Sequence, residues 1–179
     1  AIVPSLPLQL HLTPDDARAS YNYAIRKSAE NGHLDVVRFL VLYFQLAVDD
    51  VRSDNSYALR WASQNGHLQV IQFLCEHYQL DTQDVRSALI YADGHLPVVK
   101  YLCYTFKLKT WDFPDVAHAL RSSAEHGHLP VLKFLVEYFQ LARRDVQSCN
   151  NYALRKSSEN GHLQMVRYLS EHFSLTRAD

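Results

Sequence analysis

Residues 31 to 40 read "NGHLDVVRFL", and the chain repeats the phrase as "NGHLQVIQFL" at 65 to 74, "DGHLPVVKYL" at 93 to 102, "HGHLPVLKFL" at 126 to 135 and "NGHLQMVRYL" at 160 to 169. The glycines of the phrase, Gly32, Gly66, Gly94, Gly127 and Gly161, are spaced by 34, 28, 33 and 34 residues. A period in the thirties marks an array of short structural units. Fourteen residues after each glycine comes Leu46, Leu80, Leu108, Leu141 or Leu175, and eighteen after it comes Asp50, Asp84, Asp112, Asp145 or Asp179.

Counted from the glycine, apolar residues recur at offsets 2, 4, 5, 7, 8 and 12, which in the second unit are Leu68, Val70, Ile71, Phe73, Leu74 and Tyr78. Steps of three and four place them on one wide stripe of a helix that starts near the leucine of the phrase. Pro97 and Pro130 directly follow that leucine, where a first-turn proline sacrifices no hydrogen bond. Ahead of the phrase, "SYALRWASQN" at 56 to 65 and "NYALRKSSEN" at 151 to 160 predict a shorter helix. Ser56 or Asn151 would cap its start, and the Asn-Gly pair would end it. The segment "LAVDDVRSDNS" at 46 to 56 reads as a polar return between units.

A lone helical hairpin with one apolar stripe cannot hide that stripe, so the units must stack around a continuous core. The expected fold is all-α, an α-solenoid of helix-turn-helix units at 16–49, 50–83, 84–111, 112–144 and 145–179. Residues 1–15 form a partial preceding unit, since Ile2, Val3, Leu6, Leu10 and Leu12 fall at its offsets 4, 5, 8, 12 and 14, blunted by Pro4 and Pro7. The fifth unit lacks the polar cap that closes a solenoid, so the sequence predicts either a longer array or an end covered by a neighbour.

The third unit is short, with ten residues from Asp84 to Gly94 where the second has sixteen from Asp50 to Gly66. The loss should bend the array or open a notch lined by aromatic residues. Trp61, Tyr91 and Trp111 lie in the units around it, and aromatic side chains of this kind anchor binding hot spots.

Composition narrows the function classes. With 18 Lys and Arg against 19 Asp and Glu, the chain has no global field to gather a nucleic acid, so that class of partner is disfavoured. No apolar run approaches the ~20 residues of a membrane span, and the start has no signal-peptide character. These features predict a soluble, cytoplasmic protein. The three cysteines are too few for a disulfide framework and read as free thiols.

Chemistry-bearing patterns are few. Five of the ten histidines sit in the phrase, one repeat apart at roughly 8 to 10 Å, too far to share an ion with bonds near ~2 Å. His126 and His128 form a pair without a carboxylate or cysteine at ligand spacing, and nothing near Cys149 supplies a base. Phosphate loops, nucleophile elbows and metalloprotease helices are missing from the sequence. The reading is of no catalysis, no cofactor and no metal. Arg26, Arg60, Arg121 and Arg155 recur six residues before the glycine, with Glu30, Gln64, Glu125 and Glu159 four residues later. Spacing of i to i+4 predicts pairing along the helix.

The helix-turn-helix period, the "NGHL" entry into the second helix and the alanine-containing first helix resemble ankyrin repeats over residues 16 to 179. The family's Thr-Pro-Leu-His opening is replaced by "SYALR" or "NYALR", and the glycine that ends its second helix by aromatics such as Phe44 and Tyr78. Those departures leave the shape of the connecting loop open. The resemblance implies a scaffold that grips a protein partner with loop tips and first-helix faces. Carried onto this chain, the loop positions are Asn22, Asp54, Asn55, Ser56 and Asn150. The first-helix ends are Gln64, Asn65, Glu125 and His126, beside the aromatic candidates Trp61, Tyr91 and Trp111. The other reading is a structural subunit whose end faces are buried by neighbouring chains.

Overall fold

The computed structural model describes residues 12–92, 94–109 and 116–173. Eleven helices follow one another in it: α1 (Pro14–Glu30), α2 (Leu34–Tyr43), α3 (Val48–Gln64), α4 (Leu68–Tyr78), α5 (Thr82–Tyr91), α6 (Leu96–Phe106), α7 (Val116–Glu125), α8 (Leu129–Phe139), α9 (Arg143–Val146), α10 (Ser148–Glu159) and α11 (Leu163–His172). No strand occurs among the described residues. Residues 1–11 of the expected partial unit at 1–15, Trp111, Asp112, Leu175 and Asp179 lie outside them.

Helices α1, α3, α5, α7 and α10 pack side by side in one row, and α2, α4, α6 and α8 in a second. The second row starts at the leucine of each phrase, with Pro97 and Pro130 in first turns. Val70, Ile71, Leu74 and Cys75 of α4 are buried, as are their equivalents Val98, Val99, Leu102 and Cys103 of α6. The facing row contributes buried Ala58, Leu59 and Ala62 of α3 and Ala88 and Leu89 of α5 with its C-cap Ala92, and the alanines let the helices approach closely. The leucines at offset 14, Leu46, Leu80, Leu108 and Leu141, are buried at the unit joints. The continuous core expected from the stripe is therefore present.

The polar return is not a loop. Val48 to Arg52 is helical, and the chain then makes a left-handed turn through Asp54, Asn55 and Ser56, with φ of 52, 55 and 55°, before resuming the helix. The same three-residue turn occurs at Ser20, Tyr21 and Asn22 and at Cys149, Asn150 and Asn151. Left-handed non-glycine residues cost roughly 1–2 kcal/mol each, least for Asn and Asp. Ser56 and Asn151 thus belong to this turn and are not N-caps. Where the turn is present the first element is consequently the longer one, 17 residues in α3 against 11 in α4. A run of Asp, Asn and Ser reads as loop by composition, whereas its short side chains are what the left-handed turn tolerates.

The third unit has no such turn. Asp84-Val85-Arg86-Ser87 matches Asp50-Val51-Arg52-Ser53, and Ala88-Leu89-Ile90-Tyr91-Ala92 matches Ala58-Leu59-Arg60-Trp61-Ala62. Val51, Val85, Ala58, Ala88, Leu59 and Leu89 are all buried, as that register requires. Nothing corresponds to Asp54-Asn55-Ser56-Tyr57, and α5 runs uninterrupted.

Each unit is locked to its predecessor through the phrase. The ring of His67 lies on Gly32 and that of His95 on Gly66, so close that a Cβ on Gly66 would fall 2.3 Å from His95 Nδ1. Gly66 also holds φ +75°, while Gly161, with φ +75°, has nothing within 4 Å of its Cβ position. Gly66→Ala therefore carries both backbone strain and a collision and should cost about 2–4 kcal/mol, whereas Gly161→Ala should cost only the strain, about 1–2 kcal/mol. Urea melts of the two variants check this, and equal losses would contradict the ring-on-glycine contact.

Candidate functional site

The polar residues that recur with the period divide into those that hold units together and those left facing outward. The aspartate at offset 18 holds units together. Asp50 Oδ2 accepts from the backbone N–H of Ala47 at 2.7 Å, and Asp84 Oδ2 from that of Asp81 at 2.9 Å. Each carboxylate thus occupies orphan donors at a helix start. It also takes the arginine of the preceding unit: Arg18 Nε donates to Asp50 at 3.1 Å, and Arg52 donates to Asp84 through Nε at 2.6 Å and Nη2 at 2.8 Å. The spacing Asp-x-Arg, present at Asp16, Asp50 and Asp84, was the available signal for this clasp.

A second set joins the ends of the first helices. Tyr57 Oη donates to Glu30 Oε2 at 2.8 Å, and Asn65 Nδ2 to the Glu30 carbonyl at 2.7 Å. Tyr152 and Asn160 do the same to Glu125, at 2.7 Å in each case, and His162 Nε2 lies 2.9 Å from the Glu125 carbonyl. Lys27 and Tyr57 hold the Glu30 carboxyl below its ordinary range despite partial burial.

The arginine row differs from the i to i+4 expectation. Arg60 donates through Nε to the Asn55 carbonyl at 2.7 Å and through Nη2 to the Asp54 carbonyl at 2.8 Å. Arg155 Nε donates to the Asn150 carbonyl at 2.9 Å, and Arg26 Nη2 to that of Ser20 at 3.2 Å. These carbonyls are freed when the left-handed turn interrupts the helical ladder, and the guanidinium satisfies them. Glu30 and Glu159 pair instead with Lys27 at 2.6 Å and Lys156 at 2.8 Å, three residues away. Where α5 lacks the turn, the arginine position holds Ile90.

Against this frame the candidate binding residues separate. Asp54, Asn55, Gln64, Asn65, Tyr91, His126 and Asn150 are exposed. Asn22 and Ser56 are buried, because the left-handed turn points their side chains into the unit joint, and they are not loop tips. Glu125 is half-buried and already accepts Tyr152, and the amide of Asn65 is engaged with the preceding unit. Trp61 is half-buried and packs its ring 5.5 Å from that of Tyr57. Tyr91 receives the Arg60 guanidinium at 5.4 Å instead of the tryptophan.

A concavity of about 400 Å³ lies between the second and the short third unit. Its walls are polar rather than aromatic, with Arg52, Asn55, Ser56, Gln83, Arg86 and Ser87 around Ile90. Cys75 and Cys103 are buried free thiols that burial pushes up to about 12, which makes them packing residues and not nucleophiles. Among the described residues no group of three or more His, Cys, Asp or Glu is arranged to hold a metal, and no helix is long and apolar enough to cross a membrane.

Two stacked rows of helices tied unit to unit define a helical-repeat solenoid. Family comparison names the kind: ankyrin repeats (3 copies) match residues 22–112 and ankyrin repeats (many copies) match residues 116–169. The chain belongs to the ankyrin-repeat family, whose repeats generally serve as protein–protein interaction modules. No curated protein matches it.

The Arg52–Asp84 clasp gives a pH prediction. The hydrogen bond from Arg52 holds the Asp84 carboxyl below its ordinary value of 3.8, against the opposing effect of burial. The folded state then binds fewer protons than the unfolded one in acid, so this stabilisation is present above about pH 4 and lost as pH falls through the folded pKa. Asp84→Asn should cost about 1–3 kcal/mol at pH 7, and the difference from wild type should shrink at pH ~3. Denaturant titrations at both pH values measure it.

Proposed function

We propose that the chain is a non-catalytic scaffold or adaptor that binds a protein partner along the edge formed by first-helix faces and left-handed turns. The observation that carries this reading is the aromatic and guanidinium cluster of that edge. Tyr57 packs on Trp61, Arg26 lies 4.7 Å from the Tyr57 ring, and Arg60 lies between Tyr57 and Tyr91. Aromatic and arginine side chains are the residue types that dominate binding energy at interfaces, and here they are flanked by exposed Asp54, Asn55 and Gln64. Exposed Asn150 extends the proposed surface along the row. The Cys75 and Cys103 thiols are buried and His67, His95, His128 and His162 are committed to unit stacking, which leaves these residues to packing. A cytoplasmic location fits free cysteines.

A second reading has its own observation. Val36, Phe39, Leu42 and Tyr43 of α2 are exposed apolar side chains on one helix, the kind of face that a neighbouring repeat or subunit covers. A structural subunit would use that face and leave the first-helix edge free.

Trp61→Ala and Gln64→Ala should each weaken partner capture, by about tenfold for the tryptophan, while leaving helical content unchanged. Leu74→Ala, in the core, should instead cost ~2–5 kcal/mol of stability. Affinity measurements beside thermal melts separate the two effects. Normal binding by both surface variants, together with aggregation relieved by Phe39→Ser, would favour the subunit reading.

A further inference from the structure

The face left open on α2 has counterparts in the later units that are closed. Four residues after the glycine of the phrase, Val70 is 1% exposed, Val98 1%, Val131 2% and Met165 1%, whereas Val36 of α2 is 46% exposed. Phe39 is 54% exposed where Phe134 in the same register is 8%. An interior ring of this kind is covered from the preceding unit: Tyr104 of α6 packs on Phe134 and Tyr138 of α8, with ring centroids 5.7 and 5.4 Å apart. Phe39 and Tyr43 hold the positions of Phe134 and Tyr138 and stack on each other at 4.9 Å, with no ring of another unit on them among the described residues. Leu12 is exposed too, although Leu46, Leu80 and Leu141, each likewise one residue ahead of a helix cap, are buried.

The chain enters α1 as it enters α5. Asp16 Oδ2 accepts the Thr13 N–H at 2.8 Å, as Asp84 Oδ2 accepts that of Asp81 at 2.9 Å. Ahead of the cap at Asp81 lies α4, which packs beside α6, the next second helix. The same entry delivers the residues ahead of Thr13 to the open side of α2. We infer that residues 1–11 of this chain cover that face, with Leu8 set on Phe39 and Tyr43 as Tyr104 is set on Phe134 and Tyr138. Leu8 and Tyr104 share a register, four residues ahead of Leu12 and Leu108, and Ile2, Val3 and Leu6 bring further apolar side chains at the offsets of a second helix. Pro4 and Pro7 interrupt a helical ladder, so the cover is an irregular strap and not a full helix. Withdrawal of apolar area from water drives the contact. Tethering at Thr13 gives the strap an effective concentration on the order of mM, which a second copy does not match. The inference goes beyond the adaptor reading: it leaves the first-helix edge free for a partner and assigns the α2 face to the chain itself instead of to a neighbouring subunit.

Nuclear Overhauser contacts in the isotope-labelled full chain test this without any substitution. Expected are contacts from the Leu8 methyls to the Phe39 and Tyr43 rings that persist on dilution and are missing from isotope-filtered spectra of a mixture of labelled and unlabelled chains. In the chain carrying both Leu6→Ser and Leu8→Ser, the amides of α2 should exchange with solvent at least about tenfold faster, while those of α8 keep their protection. If the serine pair unfolds the whole array, the contacts in the unaltered chain decide. Contacts that appear in the filtered spectra, or fade on dilution, assign the face to a second copy and overturn the inference. Absence of the contacts, or α2 amides indifferent to the serine pair in a folded chain, overturns it as well. None of these outcomes alters the reading of the first-helix edge, which is decided by binding to Trp61→Ala.

Discussion

The contact on which the array depends is the imidazole of one unit resting against the bare α-carbon of the unit before it. His67 on Gly32, His95 on Gly66, His128 on Gly94 and His162 on Gly127 repeat the same stack. It sets how near two hairpins can come, and every other inter-unit contact is built at that distance. The apolar stripe drives the stacking, with its valines and leucines withdrawn from water. The histidine and glycine give it register, because an apolar stripe alone would tolerate sliding.

Polar bonds then fill the joint in a division of labour. Asp50 and Asp84 each satisfy a helix start and an arginine from the previous unit, so one carboxylate meets two needs. The arginines at the other end of the first helix attend to carbonyls released by the left-handed turn. That turn is energetically unfavourable taken alone. It persists because short polar residues occupy it and because a guanidinium meets its carbonyls. Side chains that look like a binding row in the sequence, Arg26, Arg60 and Arg155, are thereby consumed by architecture.

Reading the chain as a sequence made the second helices, their prolines and the stacking legible, because the 3.6-residue periodicity and the Asn-Gly pair report local geometry. The left-handed turn was hidden, since "SDNS" has the composition of a loop and no glycine betrays positive φ. That omission made Asn22 and Ser56 look like tips when they are buried. Asp54, Asn55, Gln64 and Asn150 are exposed, because polar positions flanking an apolar stripe face water in helical packing. The shortened third unit was visible by counting, but the polarity of its notch was not. Trp61 and Tyr91, which hold equivalent positions in successive units, face different neighbours, the Tyr57 ring for the first and the Arg60 guanidinium for the second.

The bonds of the phrase run in one direction. His67, Tyr57 and Asn65 all reach from the second unit back to Gly32 and Glu30 of the first, and His162, Tyr152 and Asn160 reach back in the same way. A unit's turn is therefore completed by side chains of its successor. On a ribosome, which releases the chain N-terminus first, the turn at Gly32 emerges 35 residues before the His67 ring that seals it, the difference of the two positions in the sequence. Nascent units wait for the next one to lock them, so the array closes behind its growing end like a zip fastener, always one tooth short of the point of synthesis.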